Sequence, residues 1–347
     1  MIKFTHVEGF HNVVRTHRQM GAHPTITRYR LTSPVTFRGT VKLHGSNVGV
    51  VCTPEGLQAQ SRNRDLSVED DNYGFAAFVA RPEVGAAVRE LEGELRRAAD
   101  VDAETPLVLW GEWIGPGVQR GVATAGLPSR QWALFAVGLR RESDVQGDED
   151  ADKQYLDVLP ALGDRFADQG IFSVLDVKTW ELTVDFAADD TLGTQIEAVD
   201  GWVSAVEAQC PWGARFGVEG IGEGIVFTPV GEHQGKTWLF WKAKGEKHKK
   251  TKTKQKVAVD PEILASIDEF VDFSVTEGRL EQGVEHLAEM GLEVSMKSTG
   301  PFLQWVAQDV KRECRAELEA AGLEWKQVAK AVNQRSLDFF KQKVQAL

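Results

Sequence analysis

Apolar residues follow two rhythms over the first 250 positions. Short runs at Val35–Val41, Val48–Cys52, Leu107–Trp110, Trp132–Leu139, Gly224–Phe227 and Trp238–Trp241 are rich in Val, Phe, Trp and Leu. Gly, Pro or Asn bounds them, which predicts strands. Between them lie segments with a helical period. Pro82–Ala99 sets Val84, Val88, Leu91 and Leu95 on one face and charges on the other; Thr191–Ala208 does the same with Leu192, Ile196, Val199 and Val203. The acidic stretch Glu142–Asp152 reads as a surface loop.

From Asp260 onward the pattern is helical to the end. Asp260-Pro261-Glu262 supplies a cap and then a proline for the first turn. One later helix carries Leu303, Val306, Val310, Cys314 and Leu318, and the last carries Trp325, Val328, Val332, Phe339 and Phe340. Gly300-Pro301 and Ala321-Gly322 punctuate them. A change of domain is expected near Lys254–Asp260. The predicted fold class is α+β: a mixed domain over residues 1–255, then a small all-helical domain over 256–347.

Composition narrows the functions available. A length of 347 residues suits two domains, and 42% hydrophobic with 26% charged residues is an ordinary globular balance. The formal net charge of −11 excludes a uniformly basic nucleic-acid coat. A local patch stands out instead: nine Lys and one Glu lie between Lys236 and Lys256. Lysines concentrated within an acidic chain suggest a polyanion partner there, or a solvated linker. Cys52, Cys210 and Cys314 are widely spaced and form no C-x-x-C pair, which argues against structural zinc and for a reducing compartment. With no apolar stretch of signal-peptide or membrane-span length, the expectation is a soluble, cytoplasmic protein without a membrane partner.

Gly231-Glu-His-Gln-Gly235-Lys236-Thr237 imitates a phosphate loop. Its glycines stand one residue too close, and the apolar run that follows reads as a strand. A phosphate loop needs a helix N-terminus there, so a hairpin turn is expected. Lys42-Leu43-His44-Gly45-Ser46-Asn47 is a better candidate: the lysine ends an apolar strand, Gly45 permits a tight turn, and Ser46 and Asn47 offer hydrogen bonds. Such a lysine becomes a nucleophile if nearby cations or desolvation lower its pKa. Taken singly, Lys42 reads equally as a surface lysine, Phe135 as core, and Glu112 and Glu223 as strand-end charges. Arg64 and Arg120 read as solvated or phosphate-adjacent, and His6 and His11 as structural.

Their order along the chain carries more information. After the lysine motif come Gln60-Ser61-Arg62-Asn63-Arg64, then Gly111-Glu112-Trp113-Ile114-Gly115 running into Gly117-Val118-Gln119-Arg120-Gly121. The aromatic strand Trp132-Ala133-Leu134-Phe135 follows, then Glu223-Gly224-Ile225-Val226, then Trp241-Lys242-Ala243-Lys244. This succession resembles the covalent nucleotidyltransferases, the superfamily of polynucleotide ligases and mRNA capping enzymes. Within it the chain is similar to the phage-type RNA ligase 2 family, through Lys-x-His-Gly-Ser-Asn, the Gly-Glu-x-x-Gly-Pro-Gly-x-Gln-Arg-Gly segment and a helical C-terminal part. The family's aromatic strand often ends in Asp, and Gly138 takes that place here.

The resemblance implies mainly antiparallel sheets around an ATP cleft and an ATP-dependent RNA ligase, monomeric, that joins 5′-phosphate and 3′-hydroxyl ends, with nicked duplex RNA as partner. Lys42 would carry AMP as a phosphoramidate. Lys242 and Lys244, alternating onto one strand face, would neutralise phosphates and help deprotonate Lys42. Arg62 would contact phosphate, Glu112 the ribose, and Asn47 the ribose or the RNA end. Phe135, or alternatively Trp132, would stack on adenine. Glu223 would hold Mg2+ or Mn2+, and His44 would serve the later steps. DNA ligases and GTP-dependent capping enzymes are rival readings, but a strand-rich OB barrel usually follows their paired lysines. A non-catalytic RNA-binding protein on a ligase fold is a third, which intact Lys42, Glu223, Lys242 and Lys244 disfavour.

Overall fold

A computed structural model of the chain describes residues 1–20, 29–140, 153–186, 192–245, 267–320 and 323–345. They belong to two compact units, Met1–Gly245 and Glu246–Leu347. The change of domain expected at 255/256, the acidic stretch 142–152, the lysines from 247 to 256, the helix start at Asp260 and the Ala321-Gly322 break all lie outside the described residues.

The first unit is built on two sheets. One comprises β1 (Glu8–Gly9), β2 (Val35–Lys42), β9 (Trp180–Val184), β10 (Gly224–Pro229) and β11 (Trp241–Lys244), in the order β1-β11-β10-β2-β9. The other comprises β3 (Ser46–Thr53), β4 (Gly56–Ser61), β5 (Leu107–Ile114), β6 (Gln131–Arg140) and β7 (Lys153–Leu156), in the order β4-β3-β5-β6-β7, with β8 (Ile171–Ser173) on β6. Pairing is antiparallel except for β1 with β11 and β6 with β8. The helices are α1 (Phe10–Met20), α2 (Phe75–Val79), α3 (Pro82–Ala99), α4 (Leu192–Ala208) and α5 (Pro211–Arg215). The architecture is mixed α+β with mainly antiparallel sheets.

Each sheet buries one face under helices, and the strand period of two delivers the alternate residues to the other face. In the first sheet Val35, Phe37, Val41, Ile225, Phe227 and Trp241 point into the core that α1 and α4 cover. The Phe227 and Trp241 rings stack at 4.0 Å. Lys42, Lys242 and Lys244 therefore share the opposite face. In the second sheet Val48, Val50, Leu109, Trp132 and Leu134 pack on α2 and α3. The spacing-derived stripe Val84, Val88, Leu91 and Leu95 is the buried face of α3, each side chain stabilising by about 1.5–3 kcal/mol. Asn47, Glu112 and Phe135 lie on the face away from those helices. A smaller aromatic cluster bridges the sheets: Phe4, Val108, Trp110, Tyr155 and Phe240 with Ile2.

Two local expectations are corrected. The strand expected at Trp238–Trp241 begins only at Trp241, because Thr237–Leu239 turn as a 3-10 helix. The imitation phosphate loop is the antiparallel connection from β10 to β11, as expected, with a 3-10 turn over Gly231–His233 and no α-helix following it. The three cysteines are buried free thiols.

The second unit is helical throughout its described residues: α6 (Ile267–Ser274), α7 (Glu277–Glu289), α8 (Thr299–Glu313), α9 (Arg315–Ala320) and α10 (Trp325–Gln345). Its core gathers Phe270, Leu287, Phe302, Val306, Val310 and Val332. The expected stripe from Leu303 to Leu318 is shared by two helices that break at Cys314, and Phe302 rather than Leu303 is fully buried. Inside this core the Arg279 guanidinium donates to Asp309 at 2.9 Å. No described helix is long and apolar enough to cross a membrane.

Candidate active site

Lys42 is the last residue of β2, and its neighbourhood follows from register. Gly224, the first residue of β10, pairs with Lys42 on one side and with Lys244 on the other. Glu223 immediately precedes it and is 2% exposed. Its two oxygens are divided: Oε2 accepts from Lys42 Nζ at 2.7 Å, and Oε1 is 2.7 Å from Lys244 Nζ. His44 Nδ1 lies 3.6 Å from Oε2. This close approach depends on Gly224, whose φ of +152° favours glycine and whose Cβ would fall 2.0 Å from the Ala243 carbonyl oxygen. The Glu223 carbonyl accepts from Gly245 N at 3.0 Å, closing the turn after β11.

The Leu43–Gly45 loop is pinned to the second sheet. Leu43 is buried in the core. Gly45 N donates to Glu112 Oε1 at 3.0 Å, Gln119 Nε2 donates to the Gly45 carbonyl at 3.2 Å, and Thr124 Oγ1 donates to the His44 carbonyl at 3.2 Å. A Cβ on Gly45 would meet the Trp113 carbonyl at 2.4 Å, so the loop approaches β5 only because this residue is glycine. Asn47 of β3 pairs with Glu112 of β5, which pairs with Ala133 of β6. The register slips at Trp110/Gly111, leaving Phe135 as the unpaired residue of β6. Such a bulge re-aims a side chain.

The charge balance at Lys42 reverses the expectation from sequence. Burial pulls its pKa down and the Arg62 guanidinium adds to that, but Glu223 and Glu112 outweigh both and the net direction is up. In the free protein Lys42 is therefore an ammonium held by Glu223, and its cationic neighbours do not deprotonate it. Burial pushes the Glu223 carboxyl up; Lys244, Lys42 and His44 outweigh this and hold it well below the usual range.

The structure thus joins Lys42, His44, Glu223 and Lys244 directly, with Glu112 and Arg62 close enough to act on Lys42 electrostatically. Lys242 shares their sheet face, but its Nζ donates to the Val7 carbonyl at 2.7 Å. Phe135 is half-buried, with Phe4 edge-on at 4.9 Å. Trp132 is fully buried against Phe75 at 5.4 Å, on the sheet face away from Glu112. It is a core residue, unsuited to stacking on a ligand. Gly138 also has a steric origin: a Cβ there would meet Trp110 at 2.6 Å, so no side chain fits. Sequence reasoning missed Gln119 and Thr124 as loop anchors and Val7 as a partner of Lys242. A backbone carbonyl leaves no trace in sequence.

A sequence profile of the family described as RNA ligase matches residues 35–244, the span that holds all nine site residues. No curated protein matched the chain. Solved structures similar in fold include three of Naegleria gruberi RNA ligase. A variant with ATP and Mn has 20% identity and a TM-score of 0.42, covering 71% of this chain and 56% of that one. A second variant with ATP and Mn has 20% identity and a TM-score of 0.40, covering 71% and 57%. The ligase with PPi gives 20%, 0.40, 71% and 56%. This chain thus spans little more than half the length of those proteins. A lysine, a buried glutamate and a second lysine thus meet where three strands of a nucleotidyltransferase-like fold come together. The chain belongs to the RNA ligase family.

Proposed function

We propose that the protein is an ATP-dependent RNA ligase that works through a lysyl-AMP intermediate on Lys42. The observation that carries this reading is Lys42 held between Glu223 and the Glu112-pinned loop, within a chain of the RNA ligase family. The neutral Lys42 amine attacks the α-phosphorus of ATP; the P–N bond forms, the α–β P–O bond breaks, and pyrophosphate leaves. AMP then passes to an RNA 5′-phosphate. A 3′-hydroxyl finally displaces it, forming a phosphodiester. Lys242, Lys244 and Arg62 stabilise charge on the phosphates, and their preorganisation lowers the barrier without reorganisation during reaction. Glu112 and Asn47 face the ribose, and Phe135 offers its exposed side to adenine. His44, in contact with Glu223, serves the later transfers.

The donor chemistry at Glu223 fits a hard divalent cation: an ionised carboxylate that shares the ion with nucleotide phosphates and water is the usual Mg2+ arrangement. Since Lys42 and Lys244 engage both oxygens, a cation fits best once Lys42 has lost its proton. Mg2+ or Mn2+ would supply charge neutralisation at the phosphates. The Naegleria ligase structures with ATP and Mn support the same choice of cofactors.

Within this reading the substrate is a nick in duplex RNA, sealed by a monomer. Nicked duplexes differing only in RNA or DNA strands test it. RNA nicks should be sealed with ATP and Mg2+; sealing only of DNA nicks, or of none, would overturn the proposal.

A further inference from the structure

The N-terminal residues reach three members of the nucleotide site. Phe4 packs edge-on against Phe135. His6 Nδ1 lies 3.4 Å from Arg62 Nη2. The Val7 carbonyl accepts from Lys242. Nothing in the ligase motifs assigns these residues a part, and by sequence His6 was expected to be structural.

This segment is built into the fold. Ile2 N donates to Gln60 Oε1 at 2.8 Å, Gln60 Nε2 returns a bond to the Ile2 carbonyl at 2.7 Å, and Trp110 Nε1 donates to the same carbonyl at 3.0 Å. Thr5 N donates to the Tyr155 hydroxyl at 2.8 Å. Glu8 and Gly9 then form β1 alongside Trp241 and Lys242. Held at both ends, the chain between has a fixed path.

We propose that this segment is a wall of the nucleotide site, and that His6 is a positioning residue that orients the Arg62 guanidinium toward the phosphates of ATP. Arginine only donates, so Nδ1 accepts and the ring proton sits on Nε2. That nitrogen faces Glu8, whose Oε1 is 3.8 Å away. Glu8 Oε2 in turn accepts from Asn12 at 2.8 Å. Glu8 thus stands between α1 and the His6 ring that meets Arg62. The guanidinium is a rigid fork whose value depends on its plane, and an acceptor on one nitrogen sets that plane before ATP arrives.

This inference rests on the reading of Arg62 as a phosphate contact, so its test is a double-mutant cycle on the rate of lysyl-AMP formation. His6→Ala should lower kcat/KM for ATP about tenfold in the wild-type background and leave it unchanged when Arg62→Ala is already present. His6→Asn, which keeps an acceptor at the δ position, should restore most of the loss, while the thermal midpoint of each variant reports folding. Equal losses in both backgrounds, no loss in the wild-type background, or no rescue by His6→Asn would overturn the positioning role and leave the ligase reading standing. No effect of Arg62→Ala itself would overturn the phosphate role of Arg62 and with it the positioning role of His6.

Discussion

Glu223 accepts a hydrogen bond from Lys42 at 2.7 Å, and this contact keeps the proposed nucleophile protonated in the free protein. The two residues titrate in opposite directions. Lys42 is raised, so its contribution to stability is complete below the ordinary lysine range near 10.4 and disappears as pH rises through its higher folded value. Glu223 is lowered, so its contribution is present above the ordinary glutamate value near 4.3 and disappears as pH falls through its lower folded value.

Lysyl-AMP formation at low ATP should therefore climb with pH. Only the neutral amine attacks, and its fraction rises about tenfold per unit below the pKa. Single-turnover rates at subsaturating ATP between pH 6 and 9 should rise without a plateau. A plateau near neutrality would mean that Lys42 is already neutral in the free protein.

Glu223→Gln removes the main influence that raises Lys42. The Lys42 amine, followed by NMR after isotopic methylation, should then titrate at lower pH than in the wild type. The variant should also lose about 3 kcal/mol of stability, because two ammonium groups are left without their buried counter-ion. An unchanged titration would place the cause of the upward shift elsewhere.

Gly224→Ala should abolish lysyl-AMP formation, since its Cβ would strike the Ala243 carbonyl and push β11 away from Glu223. Backbone strain adds about 1–3 kcal/mol of destabilisation. Gly56→Ala is the control: a Cβ there meets nothing within 4 Å, and it should leave rate and stability near wild type.

A fragment of residues 1–245 should fold and accept AMP. It holds every contact described around Lys42, and it is one compact unit. Adenylate transfer onto bound RNA and sealing should weaken, because the lysines from 247 to 256 are removed. In the full chain, neutralising Lys247, Lys249, Lys250, Lys252 and Lys254 should flatten the salt dependence of RNA binding and leave lysyl-AMP formation intact. An unchanged salt dependence would exclude this tract from RNA contact.

Sequence made the scaffold of the site visible because strand alternation and the apolar stripe of α3 leave a period. Val35–Val41 and Pro82–Ala99 were legible for that reason. The order of Lys42, Glu223 and Lys244 along the chain was legible because each lies at or beside a strand end, whereas Glu112 sits inside β5, paired on both sides. What sequence could not supply was pairing across distance. The Lys42–Glu223 contact spans 181 positions, and it decides the protonation state in the direction opposite to the one the clustered lysines suggest. Trp132 and Phe135 looked interchangeable as aromatics, yet three positions apart on β6 they lie on opposite faces. The N-terminal wall was hidden because its key contact with Lys242 is made by a carbonyl that every residue possesses.

The most direct test of the account is the site of covalent labelling. Protein incubated with α-labelled ATP and Mg2+, then digested and mapped, should carry AMP on Lys42 in an acid-labile, base-stable bond. Lys42→Ala should carry none while still unfolding in one cooperative transition, at a lower thermal midpoint because Glu223 loses one counter-ion. Label on another residue, or equal labelling of Lys42→Ala, would contradict the account.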